Sequence, residues 1–384
     1  MTRGSLYPLA FAGADLEAWV QGAQLDEKDV HTAWSLAAFL HQQGRAGRDK
    51  VTLFLSPSLA CAALWTKQDF EESLGKSEEL GVKIVIGERP HPADYRPMGD
   101  PRQDRLFMIV ERAGEPAVDR TRLSFLKRAK YPLAAVTLEK NAPLSRYMQF
   151  IHYTVFGLGY LRRMNFVTQP AVELYKSITN PLYQNAVIQG GIERTPEWKQ
   201  FVESPRQIKW RGGVTLHYDR LPCGVNLNDR DAASAYASLL TQLLDAGSIE
   251  YGELTFFGDT RYDPRGKRLR RILDRAGQSV FRSRLKIPVD IYEGPAMNHS
   301  YHEMVIGHGR CLSTVLLSRK PESIPEAGYT ADYHRAQFLA TQMAYERRSR
   351  LVVAISVKDL ESASLASLEE FFKAVASRLP KARM

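Results

Sequence analysis

Two short runs concentrate the residues of this chain that could do chemistry. Glu72-Ser73-Leu74-Gly75-Lys76 and, well downstream, Gln169-Pro170-Ala171-Val172-Glu173-Leu174-Tyr175-Lys176 each close on a lysine near carboxylates and small side chains. An ammonium, hydrogen-bond donors and compact neighbours together suit a phosphorylated, oxygen-rich ligand. Between the runs lie the loop Gly87-Glu88-Arg89-Pro90 and the polar string Arg102-Gln103-Asp104-Arg105. By residue type alone a loop carboxylate such as Glu88 reads as a surface group; as a positioned proton shuttle it would contribute about 10²–10⁴-fold in rate. His299, His302, Glu303 and His308 form a local cluster. Ile306 stands where a metal-binding H-E-x-x-H helix needs its second histidine, so a hydrogen-bonded loop is the preferred reading.

These residues need a scaffold, and the hydrophobic pattern supplies one. Residues 16–43 read as a helix, Val51–Leu55 as a buried strand, 59–75 as a helix stopped by Gly75, and Val82–Ile86 as a second strand. Pro90, Pro92, Pro97 and Pro101 make the next stretch a loop. Leu106–Glu111 and Leu133–Leu138 read as strands around a helix at 120–128, and a longer helix covers 144–163. Strand alternating with helix predicts a parallel sheet covered on both faces, with ligands at loops beyond the carboxyl ends of its strands. Glycines and prolines crowd residues 184–228, which read as a linker between a domain at 1–183 and a second α/β domain at 229–384. There Leu254–Phe257, Cys311–Leu317 and Leu351–Val357 read as strands, and 264–276, 331–347 and 360–378 as helices.

Several of these segments, in this order, resemble the second half of phosphoglucose isomerases. Leu64-Trp65 to Lys76 resembles the family's W-x-x-Q…E-S-x-G-K helix and turn, and Gly87-Glu88-Arg89-Pro90 its Gly-Glu-Pro loop. Asn165-Phe166-Val167-Thr168-Gln169-Pro170-Ala171-Val172-Glu173-Leu174-Tyr175-Lys176 resembles its closing N-x-F-D-Q-x-G-V-E-L-G-K. More loosely, Gly294 to Gly309 and Gly328 to Met343 are similar to the C-terminal extension of transaldolase–phosphoglucose isomerase fusions.

The resemblance implies a three-layer parallel-sheet sugar-isomerase (SIS-like) domain followed by a second α/β domain. It implies aldose–ketose isomerisation of a hexose 6-phosphate through an enediolate, without a cofactor. Glu88 would be the base and Lys176 the group for ring opening or product-side proton handling. Gln169 would hydrogen-bond on the phosphate side, Arg105 would contact a sugar oxygen or phosphate, and Glu72, Ser73 and Lys76 would frame the site. The two catalytic groups are thus expected to converge on one cleft. The family's Ser/Thr-rich phosphate loop and Gly-Gly-Arg are missing from this sequence. An N-terminal isomerase half or a transaldolase subunit is therefore the expected partner, and the family also implies a homodimer. A chain that keeps the fold as a catalytically inactive sugar-phosphate-binding or assembly subunit is the alternative.

Composition narrows the classes. Lys and Arg outnumber Asp and Glu by 52 to 43, a net charge of +9 that favours anionic partners. The basic run Arg265-Gly266-Lys267-Arg268-Leu269-Arg270-Arg271 reads as one face of an amphipathic helix; no nucleic-acid motif accompanies it, and nucleic acid is not the expected partner. Cys61, Cys223 and Cys311 are too few and too scattered for a disulfide framework, which points to a cytoplasmic setting. No run approaches the roughly 18 apolar residues of a membrane span, so no membrane partner is expected. Gly157-Leu158-Gly159 lacks the third glycine and the leading strand of a dinucleotide site.

Overall fold

The computed structural model describes residues 3–89, 91–221, 227, 231–294, 298–323 and 329–380. The chain divides into two compact units, one of residues 1–92 and 96–168, the other of 93–95 and 169–384.

The first unit runs α1 (Arg3–Phe11), α2 (Leu16–Gly22), α3 (Glu27–Arg45), β1 (Lys50–Leu55), a 3-10 turn (Pro57–Ala62), α4 (Ala63–Leu74), β2 (Lys83–Val85), β3 (Arg105–Arg112), α5 (Arg120–Arg128), β4 (Leu133–Leu138) and α6 (Leu144–Arg162). The single helix expected over 16–43 is two helices. Asp26 interrupts it, because its carboxylate accepts the Asp29 N–H at 2.8 Å and caps a new helix start. Among the described residues the strands of this unit form a parallel sheet ordered β2-β1-β3-β4. Alternate strand residues, Val51, Leu53, Ile84, Leu106, Met108 and Val110, pack with α3, α4 and α6 into one core. The opposite face carries Thr52, Phe107 and Arg105; Tyr131 and Phe125 extend it toward α5, with Phe107 and Tyr131 rings 5.4 Å apart. The α/β reading and its parallel sheet therefore hold.

The second unit runs α7 (Pro170–Gln189), α8 (Pro196–Glu203), β5 (Gln207–Lys209), β6 (Thr215–His217), α9 (Ala232–Asp245), β7 (Tyr251–Phe257), α10 (Pro264–Ala276), a π-helical segment (Gly277–Leu285), β8 (Val289–Gly294), α11 (Asn298–Gly307), β9 (Cys311–Ser318), α12 (Ala331–Arg347), β10 (Leu351–Val357) and α13 (Ser362–Arg378). Its sheet is ordered β5-β6-β10-β9-β7-β8, parallel from β10 to β8, with β6 antiparallel to β10. One face packs α9, α10, the π segment and α13; the other packs α7, α8, α11 and α12. Ala93–Tyr95 cluster with this unit, where Asp94 accepts from Gln278 and Ser283.

The expected boundary at residue 183 falls inside α7. Ala171, Tyr175, Ile178, Leu182 and Ala186 lie on one buried face of that helix, in the same core as Met304 and Tyr345, so the division comes at Thr168/Gln169 instead. The expected linker over 184–228 holds the end of α7, then α8, β5 and β6; of that range, 222–226 and 228 lie outside the described residues. Helix α9, which no expectation covered, buries one side: Ala232, Ala233, Ala235, Tyr236, Leu239, Leu240 and Leu243 are all buried. Ser234, Ser238, Thr241, Gln242 and Asp245 fall on the other side at helical spacing, so the helix is amphipathic. No helix among the described residues is long and apolar enough to cross a membrane.

Candidate functional site

Glu88 follows the short strand β2, and its partners lie in the amino-terminal half of the sheet: Arg105 is the first residue of β3, paired with Lys50, the first residue of β1. Its side chain is 2% exposed and that of Arg105 is 3% exposed. The Arg105 guanidinium donates from Nη1 to Glu88 Oε2 at 2.7 Å and from Nη2 to Oε1 at 2.8 Å. Thr52 Oγ1 donates to the same Oε2 at 2.9 Å and accepts from Arg105 Nη1 at 3.0 Å. Both carboxylate oxygens are thus engaged by a buried fork, the strongest geometry available to such a pair. The sequence assigns Glu88 and Arg105 separate tasks toward a ligand; the fold makes each the partner of the other.

The two motif regions meet through Lys76. Its ammonium donates to the carbonyls of Asn165 (3.1 Å) and Thr168, which ties the turn after α4 to the segment leaving α6. Glu72, on α4, accepts from Gln68 Nε2 at 2.7 Å, and Ser73 is half-buried beside it. Glu72 also acts on Asp69. Burial first, and the Glu72 charge second, push the Asp69 carboxyl up to about 7. A carboxyl raised on folding binds more protons folded than unfolded, so stability falls as pH rises from about 4 toward 7. Asp69→Asn is therefore expected to raise the melting temperature at pH 8 and to lose that advantage below pH 4, read by calorimetry at both pH values.

Lys176 lies within α7, in the second unit, whereas Glu88 belongs to the first. Its side chain is 47% exposed and its ammonium sits 3.2 Å from Glu173 Oε1, a one-turn surface pair. Gln169 is the half-buried N-cap residue of α7 and makes no side-chain capping bond. The first turn of α7 is instead capped by a residue from the histidine cluster. Glu303, 1% exposed, accepts from the Ala171 and Val172 N–H groups at 2.9 and 3.1 Å. His302 stacks on Tyr175 at 4.1 Å, and the His308 carbonyl accepts from Tyr251 at 2.8 Å. The expected loop here is a helix, α11, whose Glu303 and His302 side chains hold α7, while the His308 carbonyl just past its end meets the sheet. The resembling residues Pro295 to Met297, and Gly328, lie outside the described residues, and nothing is described for the side chain of His299.

One group was invisible to sequence reasoning. The sheet of the second unit has a switch point: β7 and β9 are neighbours, yet α10 and α12, the helices that follow them, cover opposite faces. Arg319 directly follows β9. Its Nε donates to Ser356 Oγ at 3.2 Å and its Nη2 to Thr215 Oγ1 at 2.8 Å. These partners are hydroxyls, so the bonds orient the guanidinium without neutralising it. Lys320 is next in the chain. Lys358 follows β10, and the register pairs Ser318 with Val357 immediately before Arg319 and Lys358. Gly213, at φ +79°, lets the loop before β6 press on Lys358; a Cβ there would lie 2.7 Å from that side chain. Arg319, Lys320 and Lys358 form an exposed cationic rim at the carboxyl edge of the sheet, with the Asp359 carboxylate beside the two lysines.

Beneath the rim, His217 Nε2 lies 2.9 Å from Ser356 Oγ, and its ring stacks on Phe201 at 4.3 Å. A hydroxyl aimed at a neutral imidazole is the geometry of a nucleophile and its base, but Ser356 is only 2% exposed and acts as a clamp between β6 and β10. Burial, then Arg319, push the His217 imidazole down to about 3. Folded His217 therefore binds fewer protons than the unfolded chain between about pH 6.5 and 3. Across that window stability is expected to fall as pH falls, by up to about 1.4 kcal/mol per pH unit. Urea midpoints measured from pH 7 to pH 4 should show a shallower slope in His217→Gln.

No family model matches the chain, and no curated protein matches it. Solved structures align along most of its length, three of them as follows. A hypothetical protein from Thermus thermophilus is 10% identical, with 94% of this chain and 88% of that one covered at a TM-score of 0.31. A glucose-6-phosphate isomerase from Chlamydia trachomatis is 11% identical, covering 91% and 68% at 0.26. The C-terminal domain of glucosamine-fructose-6-phosphate aminotransferase from Francisella tularensis is 10% identical, covering 91% and 94% at 0.22. Likenesses this distant assign neither an activity nor a site to this chain.

Proposed function

We propose that this chain is a sugar-phosphate-binding protein of the sugar-isomerase type in which Glu88 serves structure and not proton transfer. One observation carries the reading: the fork of Arg105 holds both oxygens of the Glu88 carboxylate inside the first unit. A carboxylate that must leave two charge-assisted hydrogen bonds to accept a carbon-bound proton is a poor base. For the phosphate, the cationic rim of Arg319, Lys320 and Lys358 has the charge, the exposure and the position that the reading requires. An N-terminal isomerase or transaldolase subunit remains the proposed partner.

Calorimetry with fructose 6-phosphate and 6-phosphogluconate, alongside a coupled isomerase assay, tests the proposal. Saturable binding that weakens at least tenfold in Arg319→Ala, with no turnover by the chain alone or with an isomerase N-terminal half, is the expected result. Turnover that disappears in the surface variant Lys176→Ala, or in Glu88→Gln at a temperature where that variant is still folded, would establish the isomerase instead. No binding of either ester would remove the sugar-phosphate reading altogether.

A further inference from the structure

Helix α6 is apolar on two sides. Tyr147, Phe150, Ile151, Val155 and Leu158 fill the core of the first unit. A helix hydrophobic all round belongs in an interior, yet on its other side Phe156 is 52% exposed, Tyr160 74% and Leu161 42%. Trp34, on α3, is also 52% exposed. These four side chains wall a groove of about 400 Å³ between α3 and α6, and no charged residue lines it. Its floor is Ala37, Ala38 and Gly157. The floor must stay small: a Cβ on Gly157 would lie 3.2 Å from the Ala37 methyl and 3.4 Å from the Trp34 ring. Aromatic side chains carry about 150–250 Å² each, so the four walls leave on the order of 400 Å² of apolar surface in water. A patch of that size is often functional.

The spacing on α3 identifies its cover. Glu27, Trp34, Ala38 and Arg45 are exposed and follow one another at intervals of seven, four and seven residues. At 3.6 residues per turn all four fall within about 20° of one line along the helix. Neither Glu27 nor Arg45 has an ion pair among the described residues. The series reads carboxylate, large ring, methyl, guanidinium, and its midpoint is level with Leu36. A second α3, turned antiparallel about a two-fold axis at that level, meets every member with its complement. Glu27 faces Arg45 of the other copy and Trp34 faces Ala38, each pair occurring twice. His31 faces His41. An isologous interface demands such self-complementarity.

Helix α6 completes the socket. It runs parallel to α3: Arg146 at its start lies 2.9 Å from Asp26, and Arg162 at its end donates to the Leu40 carbonyl at 3.2 Å. Tyr160 and Leu161 therefore flank Ala38, where Trp34 of the second copy arrives. The remaining charges stand at the rim, with Asp26, Lys28, Asp29 and Arg146 at one end. Arg48 and Arg163 are at the other, near the turn of Glu78 and Glu79 whose following carbonyls accept from Arg162. Two such faces bury about 800 Å² of apolar surface, close to the apolar share of a standard interface of ~1,600 Å².

We propose that two copies of this chain associate through α3 and α6 about a two-fold axis level with Leu36, with Trp34 of each copy seated over Ala38 and Gly157 of the other. The groove and the α3 spacing carry this association, whatever the second unit binds.

Sedimentation equilibrium of the full chain at low ionic strength is the test. A concentration-dependent dimer is expected. Ala38→Arg, at an exposed position, should weaken it at least a hundredfold with an unchanged circular-dichroism spectrum; Tyr160→Ser, on the groove wall, should weaken it at least tenfold. Glu27→Arg and Arg45→Glu should each weaken self-association at least tenfold, because both cross pairs become like-charged. Mixing these two variants should restore a dimer as tight as the parent, since each copy then carries the charges that the other lacks. A monomer at every concentration, a dimer indifferent to Ala38→Arg and Tyr160→Ser, or charge variants that fail to associate on mixing would overturn the proposal.

Discussion

Arg105→Ala is expected to destabilise the first unit by about 3–5 kcal/mol, the usual cost of stranding one member of a buried ion pair. For a unit of this size that is a melting temperature lower by roughly 10 °C. The cause is the Glu88 carboxylate, which keeps Thr52 but loses both hydrogen bonds from the guanidinium while remaining 2% exposed. Glu88→Gln should cost a similar amount, because an amide offers the fork one acceptor and an unwanted donor. The double variant Arg105→Met, Glu88→Leu should recover most of the loss, since paired apolar replacements leave no isolated charge. Circular-dichroism melts of the four proteins read the outcome. Single variants as stable as the parent would show that the pair holds nothing together, and the case for a structural Glu88 would go with it.

Glu71→Ala should be at least as damaging. Glu71 Oε1 lies 2.5 Å from Lys67 Nζ and 3.3 Å from Lys83 Nζ, and all three side chains are no more than 2% exposed. Lys67 also donates to the Ile84 carbonyl at 2.7 Å, which fastens α4 to β2. Removing the carboxylate leaves two ammonium groups facing each other in low dielectric, and about 3–5 kcal/mol or more is lost. The pH response gives the mechanism. Burial with a counter-charge taken away lowers a lysine pKa, so the folded variant holds fewer protons than the folded parent and its stability climbs with pH relative to the parent. Urea midpoints of Glu71→Ala should climb between pH 7 and pH 10, while the parent stays flat or declines. A parallel response in both proteins would refute the account.

Much of the scaffold was legible because its signal is local. The strand at Leu133–Leu138 and the helices at 120–128, 264–276 and 331–347 stand where period and breakers put them. Leu269, Ile272 and Leu273 mark the buried side of α10, and its arginines take the solvent side as expected. Legibility failed where polar side chains are buried, as in α11. Glu303 and His302 look like loop residues until α7 supplies the N–H groups and the tyrosine ring that satisfy them.

The candidate site followed the same rule. Ordered motifs found Glu88, Arg105, Lys76 and Lys176, but types and spacing say nothing about which side chain answers which. Three residues on separate strands and loops, Thr52, Glu88 and Arg105, meet only when β1 pairs with β3, and that pairing turned a proposed base into half of an ion pair. Arg319, Ser356, Thr215 and His217 carry no motif; a sheet register alone collects them. By itself the sequence determined an α/β chain with two sheets' worth of alternating elements, because backbone propensity and hydrophobic period act over a few residues. Only the tertiary structure decided where the units divide and which charges are buried together, because desolvation and pairing depend on neighbours far away in the chain.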